Sequence, residues 1–525
     1  MKKTRIFAAL LAALLLLLCC TAIAEEGFPL TETPVTFKVM ARTPSFYPNQ
    51  DLGQVYNMQT YEEMTGVKID WENVDPSVFT NTLAASIAAD DLPDIILKGY
   101  LTNDQLYGWG EDGILVDLAP YIEEYAPNFN ALMEQYPDIR KAITAPDGGI
   151  YGLPQVVLAP QMRVPCKLFI NTAALEKLGM EMPATLDDLY AYLVAFRDSD
   201  FNGNGIADEI PISSTAKNLY KYFYGCFGVR SRGAHHDVVD VDPKTGELRI
   251  FAQSEDYRKF LEFLHKCYAE KLIYQEIFTD GEKNNGAFAA EDRLGAVVAT
   301  TLYNIPTEKA DTWAGIKGQL DGSEFGFVSE VRSNLHSTGN FAITDACKNV
   351  ELALRWVDYF YSEAGSLFYH AGVEGVNWEK KADGTLGYTE ECAARRTGSM
   401  TQDAFIAEFA MWPGGRNPSV MLGNLWGGEY EAEPAATAIA MIEDATNVVW
   451  PFFSWTPDEN EVISTTQTDI LTFITNSTAQ AVAGEVEITD EWWNGFVSNI
   501  DSMGGQKLID TYQSAVDRIY AGETY

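Results

Sequence analysis

The sequence is short of cysteine, histidine and positive charge, and each shortage narrows what the chain can be. Seven cysteines occur in 525 residues, and Cys19 and Cys20 sit at the end of an N-terminal apolar run. The other five, Cys166, Cys226, Cys267, Cys347 and Cys392, are widely and irregularly spaced. An odd set without a CxxC pair is neither a disulfide framework nor a zinc ribbon or thioredoxin-type site. Buried free thiols are the expectation. The five histidines form no HExxH pair, and His235-His236 beside Asp237 reads as an exposed loop. No P-loop, GxSxG elbow or GxGxxG stands in a strand–turn–helix context. Lysine and arginine number 37 against 75 acids, for a formal charge of −38. That field repels phosphate backbones and anionic lipid surfaces, which excludes nucleic acid as a partner. Beyond residue 24 no apolar run reaches the ~18 residues of a bilayer-spanning helix.

The first 24 residues read as an export signal. Lys2, Lys3 and Arg5 precede an apolar run from Ile6 to Cys20, and Ala22-Ile23-Ala24 gives a small-x-small cleavage pattern. The mature chain is therefore expected outside the cell or at its surface. Leu17 and Leu18 before Cys19 fit a lipid-attachment site poorly, and membrane contact is limited to such an anchor.

Hydrophobic residues make up 46% of the chain, enough for more than one core. Val35 to Met40 reads as a strand, Tyr56 to Thr65 as a helix closed by Gly66, and Val67 to Trp71 as a second strand. Phe79 to Ala89 is helical and Pro93 to Leu97 extended. This alternation predicts an open parallel sheet covered by helices. Further on, Cys166 to Asn171 reads as a strand and Thr172 to Leu178 as a helix closed by Gly179. Thr185 and Asp188 stand in capping-box register at the start of another helix. Leu294 to Thr300 and Phe341 to Thr344 read as strands, and Val350 to Ser362 as a helix. The chain from Asp458 to Thr475 and from Glu491 to Tyr520 reads as amphipathic helix.

The stretch Asp200-Phe201-Asn202-Gly203-Asn204-Gly205-Ile206-Ala207-Asp208-Glu209 carries specific chemistry. Oxygen-bearing side chains fall at positions 1, 3, 5 and 9, glycine at 6, and the Ile206 carbonyl at 7. Calcium takes six to eight oxygens, and this order gathers them around one point. Position 12, the bidentate glutamate of an EF-hand, is Pro211, and Glu209 can supply the missing carboxylate. The role of such a cage is structural. Aromatic residues are plentiful, and Trp412-Pro413-Gly414-Gly415 and Leu425-Trp426-Gly427-Gly428 read as loops. An indole face in a loop at a cleft suits stacking on a sugar ring.

Several segments resemble the family 1 extracellular solute-binding proteins, in the large branch that includes alginate-oligosaccharide binders and lipoprotein-like sugar binders. They include YEEMTGVKIDW, ADDLPDIIL, DGGIYGLP, LFINTAALEKLGMEMPATLDDLYAYLVAFRDSDFNGNGIADEIPIS and AITDACKNVELALRWVDYFYSEAG. The resemblance implies a two-lobed α/β fold of the periplasmic-binding-protein type, type II, with a hinge and a large helical C-terminal part. It implies segments 25–160 and 339–372 in the N-lobe and 161–338 and 373–525 in the C-lobe, with crossings near Ala159, Gly339 and Gly372. It implies delivery of an oligosaccharide to the permease of an ABC importer, by a monomer and without catalysis. A structural calcium would be held by Asp200, Asn202, Asn204, the Ile206 carbonyl, Asp208 and Glu209. Trp313, Trp378, Trp412 and Trp426 are candidates for ring stacking, and Glu374 in GVEGVNW for accepting sugar hydroxyls. Where relatives carry an Arg-Asp-Trp-Leu run, this chain has Asn171-Thr172-Ala173-Ala174-Leu175, which weakens an alginate-like assignment. A secreted carbohydrate-active enzyme and a surface sugar sensor are the alternatives.

Overall fold

The computed structural model describes residues 27–302, 304–320, 326–382, 384–396, 400–423, 432–445 and 448–521. The leader, with Cys19 and Cys20, and Trp426 lie outside the described residues. In chain order the first strands are β1 (Val35–Arg42), β2 (Val67–Val74), β3 (Ile95–Leu101), β4 (Leu153–Val157), β5 (Lys167–Asn171) and β6 (Ile210–Ser213). They are followed by β7 (Val239–Val241), β8 (Leu248–Ile250), β9 (Leu294–Ala299) and β10 (Trp313–Gly315). The last are β11 (Leu335–Ile343), β12 (Trp378–Lys380), β13 (Leu386–Tyr388) and β14 (Val420–Met421).

Two main sheets result, one per lobe. The first has the order β14-β4-β11-β3-β1-β2 and the second β10-β5-β9-β6. In the first, β1 runs parallel to β2 and β3, whereas β11 runs antiparallel to β3 and β4. Both faces of β1 are buried, as helix-covered parallel strands require. Phe37, Val39 and Ala41 enter one core with Phe129, Trp356 and Phe360. Met40 enters another with Ile96 and Ala342. The second lobe packs around Leu168, Ile170, Phe196, Phe260 and Tyr512. The cysteines at 166, 226, 267, 347 and 392 are free and buried.

Local signals in the sequence act as chemistry dictates. The helix Tyr56–Thr65 ends on Gly66 at φ 73° and Thr172–Leu178 on Gly179 at φ 65°, both left-handed. At the helix Leu186–Arg197 the Thr185 side chain accepts from the Asp188 backbone, and the Asp188 carboxylate accepts from the Thr185 backbone. The predicted helix Val350 to Ser362 breaks after Asp358 into a 3₁₀ turn at Tyr359–Tyr361. There Asp358 turns its carboxylate to the backbone N–H groups of Asn128 and Phe129 at the start of the helix Pro127–Gln135.

The chain passes from the first sheet to the second after β4, through the short helix Pro160–Arg163, and returns at β11. The family resemblance implies that residues 373–525 belong to the second lobe. In the structure Val420–Met421 pairs with β4, and Ala407, Met411 and Val420 pack in the first-lobe core. The helix Ala432–Asp444 then meets the second sheet, where the Glu433 carboxylate accepts the Gly315 N–H at 2.8 Å.

Lys167 ties β5 to the first crossing. Its ammonium donates to the carbonyls of Val164 at 2.5 Å and Gln161 at 3.1 Å. Burial presses its pKa down to about 7, against roughly 10.4 in an unfolded chain. Between those values the unfolded chain holds a proton that the folded chain has released, so this group makes stability rise with pH across that window. Denaturant titrations of the wild type and Lys167→Met between about pH 6 and 10 should show the wild type gaining on the variant as pH rises.

Candidate functional site

In an open α/β sheet, ligands bind beyond the carboxyl ends of strands where the chain reverses its direction of winding. Here that point lies between β1 and β3, and it is built around a buried lysine. Lys98 is fully buried, at φ 57°, near the end of β3. Its ammonium donates to Met411 O at 2.7 Å, Asn417 Oδ1 at 2.8 Å and Pro413 O at 3.1 Å. Burial, with Arg42 and Arg416 nearby, holds its pKa well below the ordinary range. The Tyr47 hydroxyl lies 2.7 Å from Pro413 O and 2.8 Å from Met411 O. Gly414, at φ 84°, leaves no room for a side chain: a Cβ would stand 2.8 Å from Pro44 Cγ. The segment Met411–Asn417 is thus fastened across the ends of β1 and β3.

That fastening presents Arg416 to Tyr100. The guanidinium lies 4.4 Å from the Tyr100 ring centroid, and the ring is 46% exposed. Both residues sit at positive φ, 59° and 57°, a conformation costly for side-chain-bearing residues and concentrated at ligand sites. Arg416 Nε is buried without an acceptor. Arg42, half-buried at the end of β1, has its pKa lowered by burial and by Arg416.

The floor of the cleft lies at the end of β4. Val156 N–H donates to Ser419 O at 3.0 Å and Val157 N–H to Asn334 O at 2.7 Å, so three chain segments meet there. The side chains at this junction are poorly served. Gln161 Oε1 and Nε2, Asn334 Oδ1 and Ser419 Oγ are all buried without hydrogen-bond partners. A dry orphan of this kind costs about 1–3 kcal/mol. Several at one place mark a surface that a polar guest or water completes.

The residues singled out by sequence fall in different places. Trp412 is half-buried on the fastened segment, against Trp378 and Met421 on one side and Phe405 and Phe409 on the other. Trp378 is 6% exposed, and its indole N–H donates to Gly372 O at 3.0 Å. Trp313 is 4% exposed and packs with Phe169, Leu302 and Ile305 in the second lobe. Glu374 is exposed in a groove of about 770 Å³ lined by first-lobe residues, among them Met64, Leu367 and Trp378. The structure joins Trp378 and Trp412 in one cluster and leaves Trp313 apart. Sequence patterning did not mark Lys98, Tyr100 or Arg416; the only trace is glycine beside them, in Lys98-Gly99-Tyr100 and Gly414-Gly415-Arg416. His236 corrects the reading of His235-His236 as an exposed loop. It is 4% exposed, enclosed by Trp450, Phe453 and Tyr512, because its ring completes their aromatic cluster.

The loop Asp200–Glu209 folds back on itself. Asp200 Oδ2 accepts Gly205 N–H at 3.1 Å, Asn202 Oδ1 accepts Asn204 N–H at 3.0 Å, and Asn204 Oδ1 accepts Ile206 N–H at 2.6 Å. Glu209 Oε1 accepts Phe201 N–H at 2.9 Å, closing the loop, while Glu209 Oε2 is buried with no partner. Asp208 pairs with Arg293 at 2.9 Å. Among the described residues no three His, Cys, Asp or Glu side chains converge as a metal site. The fit to calcium rests on the kind and order of the oxygens and on the orphaned Glu209 Oε2.

Residues 50–225 match the model of the bacterial extracellular solute-binding protein family. It is 30% identical over 356 residues to the fructooligosaccharide ABC transporter substrate-binding protein FusA of Streptococcus pneumoniae serotype 4 (strain ATCC BAA-334 / TIGR4). It is 23% identical over 341 residues to the polygalacturonan/rhamnogalacturonan-binding protein YtcQ of Bacillus subtilis (strain 168). These matches cover 66% and 62% of this chain and 65% and 64% of the relatives' lengths. Among solved structures, FusA in complex with kestose superposes with a TM-score of 0.71 at 23% identity, over 93% of this chain and all of that one. A FusA EF-hand mutant in complex with fructo-nystose gives 0.68 at 22% identity, covering 93% and 100% of the two chains. The alginate-binding protein AlgQ2 without calcium ion gives 0.69 at 20%, covering 94% and 100%. The fold is therefore that of the two-lobed periplasmic-binding-protein type, and the family is one of binding proteins rather than enzymes. No helix among the described residues is long and apolar enough to cross a membrane.

Lys98→Met should leave up to three oxygens without their donor, at about 1–3 kcal/mol for each that stays dry. Chemical denaturation should show the loss, and Tyr100 should become more exposed to tyrosine-directed labelling as the Arg416 segment loosens.

Proposed function

We propose that the protein is the substrate-binding component of an ABC importer that takes up an oligosaccharide. The observation that carries this reading is the set of orphaned polar side chains where β4 meets the segments at Asn334 and Ser419, namely Gln161, Asn334 and Ser419, together with the exposed Tyr100 ring at the end of β3. Donors and acceptors next to an aromatic face match the two surfaces of a sugar, its hydroxyl rim and its C–H-rich face. The match of residues 50–225 to the solute-binding family model and the sugar named for FusA support the same reading.

Binding would work by hinge bending. Contacts from both lobes stabilise the closed form, which the permease partner then recognises. The crossings near Ala159 and Gly339 serve as the hinge, and the protein acts as a monomer exported from the cytoplasm, free or lipid-anchored. Of the aromatic candidates, Trp412 lies on the segment that reaches the cleft, and Trp313, the candidate from the second lobe, would need to leave its packing against Phe169 and Leu302 to stack on a ligand. Glu374 and Trp378 stand together on the first lobe, and Trp426 joins the same set of candidates.

A structural calcium would sit in the loop Asp200–Glu209, held by Asp200, Asn202, Asn204, the Ile206 carbonyl, Asp208 and Glu209. When bound it would supply fixed positive charge to otherwise repelling carboxylates. The FusA EF-hand mutant and AlgQ2 without calcium ion support this assignment.

Thermal unfolding with a panel of oligosaccharides tests the carbohydrate reading: a glycan that raises Tm and is recovered uncut supports a binder, and cleaved product sinks it. For calcium, a chelator should lower Tm, calcium should restore it, and Glu209→Gln should blunt both effects. Unchanged Tm with no metal by elemental analysis would refute the assignment.

A further inference from the structure

Acids outnumber lysine and arginine 75 to 37, so anions are plentiful around this chain. Three arginines near the cleft nevertheless stay without one. Arg42, Arg332 and Arg416 make no ion pair among the described residues, whereas Arg230, Arg249, Arg293 and Arg518 all do. The three come from separate segments that meet at the cleft. Arg42 ends β1. Arg416 is set over Tyr100 by the Lys98 bonds. Arg332 stands at the return to β11, with its backbone N–H donating to Arg163 O at 2.8 Å and its carbonyl accepting from Arg163 Nε at 3.1 Å. Close to Arg332 and Arg416 lies His336 on β11.

The neighbouring charges are few. Asp75 faces Arg42, but its carboxylate accepts from Ser77 and Gln50. Asp403 faces Lys98. The cations otherwise act on one another. Arg416 lowers the pKa of Arg42 after burial does. Burial, Arg332 and Arg416 press His336 to about 4. Burial, His236, Arg332, Arg230 and His336 hold His235 well below its usual value. Unpaired like charges held close cost stability in the empty protein, and an anion that enters among them relieves it.

We infer that the cleft selects an acidic oligosaccharide, one bearing carboxylate or sulfate groups, with the anion lodged at Arg416 between Arg42 and Arg332 and an adjoining sugar ring on the Tyr100 face. Arg416 as a whole is half-buried and makes no ion pair among the described residues, and its guanidinium can offer parallel donors to a planar carboxylate. The net charge of the molecule opposes this ligand at long range. The selection is therefore local, and added salt should first screen the repulsion and then, at higher concentration, weaken the bound contact. This inference rests on the carbohydrate reading above and narrows it.

Calorimetric titration of the full chain with three probes tests it: a trigalacturonate, a sulfated trisaccharide and the neutral trisaccharide kestose. Either acidic probe should bind at least tenfold more tightly than kestose, and the better of the two tells carboxylate from sulfate. Arg416→Gln should remove that preference, with Arg416→Lys recovering part of it. Arg42→Gln should reduce the preference more mildly, which keeps the test alive if the Arg416 variants fail to fold. Kestose binding as tightly as both acidic probes would overturn the inference and leave the carbohydrate reading standing. No binding by any probe would overturn both.

Discussion

One buried ammonium holds the candidate site together. Lys98 is the side chain through which the end of β3 reaches a segment more than three hundred residues later in the chain. Its acceptors are main-chain carbonyls and an amide oxygen, with no carboxylate among them. A buried cation without a counter-anion is costly, so the geometry of its acceptors must be kept. The strained backbone at Tyr100 and Arg416 follows from that demand. Tyr100 is two residues from Lys98 itself and Arg416 is next to Asn417, which Lys98 holds, so the chain there has little freedom to relax.

The site is in this sense built from the inside outward. A core interaction fixes a loop, the loop fixes a guanidinium, and the guanidinium fixes an aromatic face. At the cleft floor the order is reversed. The meeting of β4 with the segments at Asn334 and Ser419 is well bonded along the backbone, and only the side chains are left wanting. A rigid scaffold with unmet side chains on its inner surface is how a binding protein differs from a core of the same size.

Much of the fold could be read from the chain because its signals are local. Gly66 and Gly179 close helices where no Cβ penalty applies, and Thr185 with Asp188 opens one by reciprocal bonds. The first three strands follow from alternation and from their helices. What could not be read depends on contacts distant in sequence. β14 is two residues long and exists because Ser419 and Met421 bond to the chain around Val156 and Leu158. Asp358 ends its helix by serving another helix. Lys98 looks like an ordinary strand lysine until its partners at 411–417 are placed. Tryptophan drew attention in the sequence for its ring, yet Trp313 and Trp378 are almost wholly enclosed, and the ring that faces solvent is Tyr100. Side-chain type tells what a residue can do, and only the packing tells whether its face is free.

The strand order also sets a schedule for folding. β4 is complete by residue 157, but its neighbours β11 and β14 begin at Leu335 and Val420, with the whole second sheet made in between. A chain that emerges N-terminus first, from a ribosome or a translocation pore, therefore exposes two bare edges of β4 for most of its synthesis or passage. The first lobe cannot close until the second has largely appeared. Such a chain stays threadable for longest, and it depends most on the speed of its last segments once they arrive.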